Sequence, residues 1–102
     1  RIAAAARANG VLVAPHSPSG PVSTAAGAQA MAAATNFSIL EYAWGEAEWR
    51  ADLLEPAERI ENGYLLLPEG PGLGHRLNME VVDAHRAGEA STRDSSMAMP
   101  VS

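Results

Sequence analysis

Three observations predict an α/β chain that forms the last βα units of a (β/α)8-type barrel, with a C-terminal β-hairpin and helix and no complete barrel of its own. Two short apolar runs, Val11-Leu12-Val13-Ala14 and Phe37-Ser38-Ile39-Leu40, flank an Ala-rich stretch long enough for a helix. Strand, crossover helix and strand make a βαβ unit, which is right-handed with parallel strands. Each run leads into a chemistry-bearing residue: Pro15-His16 after the first, Glu41-Tyr42 after the second. Parallel strands place their C-terminal ends on one edge, where barrel enzymes carry their catalytic groups. Finally, 102 residues fall far short of the about 250 of a whole barrel, and two strands alone would leave open, aggregation-prone edges. The chain opens on Arg1 within a helical pattern and has no initiator Met, so it reads as a piece of something longer.

Residues 2–8 are the end of a helix stopped by Asn9-Gly10. Residues 11–14 are uniformly apolar, as in strands covered on both faces. A Pro-Ser-Pro-Ser-Gly loop follows, and Pro21 suits a first helical position with Ser19 or Gly20 as cap. The helix over 21–35 carries alanines and Gly27 that allow close backbone approach, and Asn36 breaks it before the strand over 37–42. A shorter helix is predicted over 46–54, stopping before Pro56. Asn62-Gly63 between apolar runs predicts a hairpin over 59–66 with a type I′ turn. Residues 68–74 are a Pro/Gly-rich loop, and a last helix over 79–87 is capped by Asn78. The division is therefore barrel strands and helices over 1–55, a completing hairpin, loop and helix over 56–87, and a small, polar, disordered tail over 88–102.

Composition excludes several functions. A net charge of −5, with arginines scattered singly and lysine absent, offers neither a nucleic-acid footprint nor a polybasic membrane anchor. Without cysteine there are no disulfides and no Cys-based zinc sites. No apolar run reaches the roughly 18 residues of a membrane span, and no signal-peptide pattern appears; the expected location is the cytoplasm.

A histidine side chain has an ordinary pKa of ~6.5, so this residue type is suited to take and return a proton, and His16 is the candidate. Its plainer role is a loop histidine bonded to a backbone carbonyl. Glu41 closes an apolar run, where a charge is costly unless paired; its plainer role is a salt bridge at the barrel rim. The free N–H groups at the helix start beside Pro21 are suited to a carboxylate. His75 and His85 together with His16 have poor spacing for a metal site, and Pro71-Gly72-Leu73-Gly74 lacks the features of a phosphate loop. Trp44 and Trp49 flank a helix start as packing residues, with Trp44 close enough after Glu41 to line a pocket.

At Ala14-Pro15-His16-Ser17-Pro18-Ser19-Gly20-Pro21 the chain resembles the enolase superfamily, in its mandelate racemase/muconate lactonizing enzyme group, and most of all the sugar-acid dehydratases such as the D-galactonate dehydratases. Residues 36–42, Glu61-Asn62-Gly63-Tyr64 and residues 67–74 agree, so the likeness covers about 1–87. The resemblance implies that His16 is the catalytic base of the seventh barrel strand and Glu41 the glutamate of the eighth, a hydrogen-bond partner to the developing enediolate. It implies a sugar acid as substrate and Mg²⁺ as cofactor; beside this pair in the sequence, Ser17, Ser19 and Trp44 are the candidate substrate-binding residues. The three Mg²⁺ carboxylates, the Asp that partners the histidine and the capping domain would all precede this segment. The full-length protein is expected to be a homo-oligomer, and the isolated chain to be inactive and to bind Mg²⁺ negligibly. The rivals are a racemase or cycloisomerase of the same superfamily, and a stand-alone binding or assembly module.

Overall fold

The structure, a computed structural model, describes residues 1–87. Helix α1 (Ile2–Ala8) ends as its sequence demands: Gly10 takes a positive φ of 68°, its N–H reaches the Arg7 carbonyl, and the Val11 N–H reaches back to Ala6. This pair of bonds satisfies carbonyls that the helix end leaves open.

The two apolar runs lie parallel, as predicted, but their ladder is a single bridge between Val13 and Phe37. The Val13 N–H donates to the Asn36 carbonyl and the Ser38 N–H to the Val13 carbonyl, each at 2.9 Å. The next donor in a parallel register would be residue 15, and Pro15 has no N–H to give. On the other side, the Val11 carbonyl accepts from the Asn36 side chain at 2.9 Å instead of from backbone. The same amide nitrogen donates to the Ala3 carbonyl at 3.0 Å. Asn36, expected only as a helix breaker, is thus a buried clamp joining α1 to both runs. Asn36→Ala should cost about 1–3 kcal/mol, because two carbonyls lose their donor; urea unfolding would measure it, and an unchanged midpoint would remove the clamp.

Helix α2 (Pro21–Ala32) starts with Pro21 at its first position behind Gly20. It ends three residues earlier than expected, as the Ala33 and Ala34 N–H groups turn back to Ala30 and Met31. A Cβ added to Gly27 would lie 3.7 Å from the Leu40 side chain, the close approach its glycine allows.

The predicted helix over 46–54 is instead a 3-10 turn, Glu48–Asp52, and its last residues leave to form strand β1 (Leu54–Glu55). The hairpin of β2 (Arg59–Glu61) and β3 (Tyr64–Leu66) is present, with φ of 51° at Asn62 and 79° at Gly63, both positive as a type I′ turn requires. Strand β4 (Arg76–Leu77), which falls between the predicted loop over 68–74 and the predicted helix over 79–87, pairs antiparallel with β1. Helix α3 (Met79–Ala84) is shorter than expected, and the Asn78 side chain does not cap it; the Asn78 N–H donates to the Leu53 carbonyl instead. The predicted tail over 88–102 lies outside the described residues.

The described residues form two two-stranded sheets and one parallel bridge, a partial α/β arrangement with no closed barrel. The buried apolar core is Ala25, Ala43 and Leu54, with Ser17, Thr24 and Asn36 buried beside it. Among these residues no helix is long and apolar enough to cross a membrane.

Candidate active site

The ends of the two parallel runs meet at a pair of side chains. His16 Nδ1 lies 2.9 Å from Glu41 Oε2. The Ser17 N–H donates to that same oxygen at 2.7 Å. A hydrogen on Nδ1 would point at this oxygen and leave the Nε2 lone pair free. The pair is open to water, with side chains 82% and 48% exposed, so it holds itself together by at most about 1 kcal/mol.

The remaining predicted site residues are distributed around this pair. Ser17 is buried, its hydroxyl without a protein partner among the described residues, and it meets Glu41 through backbone. Ser19 is exposed, and its carbonyl accepts from Arg50 at 3.2 Å. Trp44 is 76% exposed, with its ring 6.0 Å from that of Tyr42. It lines an open apolar groove of about 820 Å³ with Met31, Phe37, Ile39, Ile60 and Tyr64.

The three histidines do not assemble. His75 Nδ1 pairs with the Pro56 carbonyl at 2.6 Å, while His85 bonds the Val81 carbonyl and stacks on Trp49. No group of three His, Asp or Glu side chains suited to a metal occurs among the described residues, so these residues do not fit a Mg²⁺ centre by themselves.

A charged cluster behind the site has no counterpart in the sequence reading. Arg50 bonds both carboxylate oxygens of Glu58 at 3.1 Å, with the two side chains only 11% and 6% exposed. It also reaches the Tyr42 hydroxyl at 3.2 Å and Thr24 Oγ1 at 3.0 Å, and its guanidinium carbon stands 4.5 Å from the Tyr42 ring centre. The Tyr42 hydroxyl donates to Glu58 at 2.7 Å. Burial, and then the hydrogen bond to Glu58, push the Tyr42 phenol above its ordinary value. Burial alone would lower the Arg50 guanidinium, but its bonds to Glu58 and Tyr42 outweigh that and hold it above its usual range. At the start of α2, a guanidinium docks on Thr24 and on the Ser19 carbonyl. Arg50 and Glu58 are eight residues apart with no helix between them, so no periodicity in the chain could have paired them.

Residues 1–81 match the family described as enolase C-terminal domain-like. The chain belongs to this family. Within the enolase C-terminal domain-like proteins it is 44% identical to a D-xylonate dehydratase of Haloferax volcanii over 73 residues, which are 72% of this chain and 18% of that protein. A mandelate racemase/muconate lactonizing enzyme from Jannaschia sp. CCS1 superposes with a TM-score of 0.75 at 36% identity, over 85% of this chain and 22% of that one. A Burkholderia xenovorans LB400 protein assigned as an L-alanine-DL-glutamate epimerase, solved with magnesium and fumarate, gives 0.74 at 36% identity over 82% and 21%. The chain thus spans about a fifth of the length of these enolase-type relatives.

Proposed function

We propose that this chain is the C-terminal part of a sugar-acid dehydratase of the enolase superfamily, with His16 as the base that removes the proton on the carbon next to the substrate carboxylate. The observation that carries this reading is the contact of His16 with Glu41 at 2.9 Å, which leaves Nε2 as the basic atom at the sheet edge. The bond from that carbon to hydrogen breaks, the proton passes to Nε2, and the electron pair spreads into the carboxylate as an enediolate. Collapse of the enediolate expels the β-hydroxyl, which takes up the proton held on the His16 imidazolium and leaves as water, so that the base is restored. The enol left behind tautomerises to a 2-keto-3-deoxy acid. Glu41 accepts through Oε2 on the imidazole side, and a proton carried on Oε1 makes the same carboxyl a donor to the developing enediolate.

The identity to a D-xylonate dehydratase supports dehydration over racemisation and widens the substrate class from galactonate to sugar acids generally. The Mg²⁺ implied for such an enzyme polarises the substrate carboxylate when bound. Since the described residues supply no ligand set for it, its ligands belong to chain outside this segment.

The test is an assay of the complete enzyme against a panel of sugar acids, xylonate and galactonate included, in deuterated water. Release of a 2-keto-3-deoxy acid is the expected result. Deuterium exchange at the carbon next to the carboxylate without loss of water would replace the dehydratase by a racemase or epimerase. The isolated 102-residue chain should turn over none of these acids and give no Mg²⁺ heat in calorimetry. Turnover above background that His16→Ala abolishes would overturn that expectation.

A further inference from the structure

The four asparagines of the chain precede Gly10, Phe37, Gly63 and Met79. Asparagine before glycine readily loses its side-chain nitrogen, because no Cβ hinders the main-chain nitrogen that attacks the side-chain carbonyl. Asn9-Gly10 and Asn62-Gly63 are equal candidates by sequence, and a Cβ added at either glycine would meet nothing within 4 Å. Hydrogen bonding separates them. At the end of α1 both reacting groups are engaged: the Gly10 N–H donates to the Arg7 carbonyl at 3.0 Å, and Asn9 Nδ2 donates to the Ala5 carbonyl at 2.9 Å. The next residue is held as well, since the Val11 N–H bonds Ala6 and its carbonyl accepts from Asn36. At the hairpin tip both residues are exposed, and neither the Asn62 side chain nor the Gly63 N–H has a hydrogen-bond partner among the described residues. Turning the Gly63 nitrogen onto the Asn62 side chain disturbs only the last pair of the hairpin, Glu61 with Tyr64, and Tyr64 is itself exposed.

We infer that Asn62 is a deamidation and isomerisation site of this protein, and that its conversion to isoaspartate loosens the β2–β3 hairpin. Hydroxide takes the Gly63 amide proton, and the nitrogen attacks Asn62 Cγ. The bond from Cγ to Nδ2 breaks, ammonia leaves, and a five-membered succinimide remains. Water then opens the ring. Opening at the side-chain carbonyl gives aspartate; opening at the main-chain carbonyl gives isoaspartate, with the peptide now running through the former side chain. Either product adds a negative charge beside Glu61. Isoaspartate also adds a methylene to the main chain of a two-residue turn, whose φ values of 51° and 79° match the twist of the strands only at that length. Ile60 and Leu65, paired across the hairpin and both lining the apolar groove, then lose the register that holds them.

The experiment incubates the complete protein in mildly alkaline buffer, folded and in urea, and follows the peptide bearing each asparagine by mass spectrometry for replacement of the amide by a carboxylate. Isoaspartate is scored by methyl transfer from S-adenosylmethionine with an isoaspartyl methyltransferase. In urea the two Asn-Gly pairs should convert at similar rates. In the folded protein Asn62 should convert faster than Asn9 by about tenfold or more, since Asn9-Gly10 must first give up two hydrogen bonds. Equal rates in the folded protein, or a faster Asn9, would overturn the assignment. So would an intact Asn62 over a time in which the unfolded protein reacts fully. The isoaspartyl form, separated by ion exchange, should unfold at a lower urea concentration than Asn62→Asp, which carries the same charge on an unaltered main chain and suits a type I′ turn. Equal midpoints would overturn the loosening of the hairpin.

Discussion

Replacing His16 by asparagine in the complete enzyme is expected to lower kcat for sugar-acid dehydration by about 10³–10⁴-fold, the upper part of the range for loss of a general base. Asparagine has a similar reach and can still donate to Glu41, so the loop geometry survives. What vanishes is the basic lone pair at Nε2. No neighbouring group replaces it: Glu41 lies on the Nδ1 side of the ring with Oε2 already accepting two hydrogen bonds, and the Ser17 hydroxyl is buried. A proton next to a carboxylate is weakly acidic, so the step that loses its base is the one with the highest demand for it. The loss corresponds to about 4–5 kcal/mol of transition-state stabilisation. KM should change little, because the substrate's carboxylate and hydroxyls are held by other groups. Steady-state kinetics with a coupled assay for the 2-keto product checks this, and activity within tenfold of wild type would exclude His16 as the base.

The parts of the fold that were legible in the sequence are those whose physics is local. Asn9-Gly10, Pro21 and Asn62-Gly63 each act within a few residues, through a positive φ or a fixed one, and each gives the expected turn or helix end. The parallel placement of the two apolar runs was legible too, as was the meeting of their ends. Their pairing is shorter than the apolar runs themselves, because Pro15 has no N–H for the next bond of a parallel ladder. The β1–β4 pairing was not legible: each strand has two residues, and nothing local marks either as a strand. The same holds for Asn36, whose amide serves carbonyls of two other segments. The cluster around Arg50 is the largest omission in the site. Its members come from α2, the second apolar run, the 3-10 turn and the stretch before β2, and only the assembled fold brings them together.

That cluster should also dominate the stability of the region. Glu58→Ala leaves the Arg50 guanidinium, 11% exposed, without its counter-charge, and arginine cannot escape by losing its proton. Removing one partner of a buried pair costs about 3–5 kcal/mol. The Arg76–Glu55 pair is the internal control: its distance of 2.9 Å is shorter, but its side chains are 81% and 44% exposed. Glu55→Ala should therefore cost no more than about 1 kcal/mol. Burial and not distance decides between them. The hydrogen bond from Tyr42 to Glu58 adds a pH signature. A phenol whose pKa is raised by folding stabilises the folded state fully below its unfolded value of 10.0, and that contribution disappears as pH rises through the folded value. Wild-type stability should thus fall on the alkaline side of 10, while Glu58→Gln, which keeps the burial that chiefly raises the phenol but loses the contribution of the Glu58 carboxylate, should show a shallower fall. Urea midpoints of the complete protein at neutral and alkaline pH measure both effects. Equal midpoints for Glu58→Ala and Glu55→Ala would mean that the buried cluster does not anchor the segments it joins.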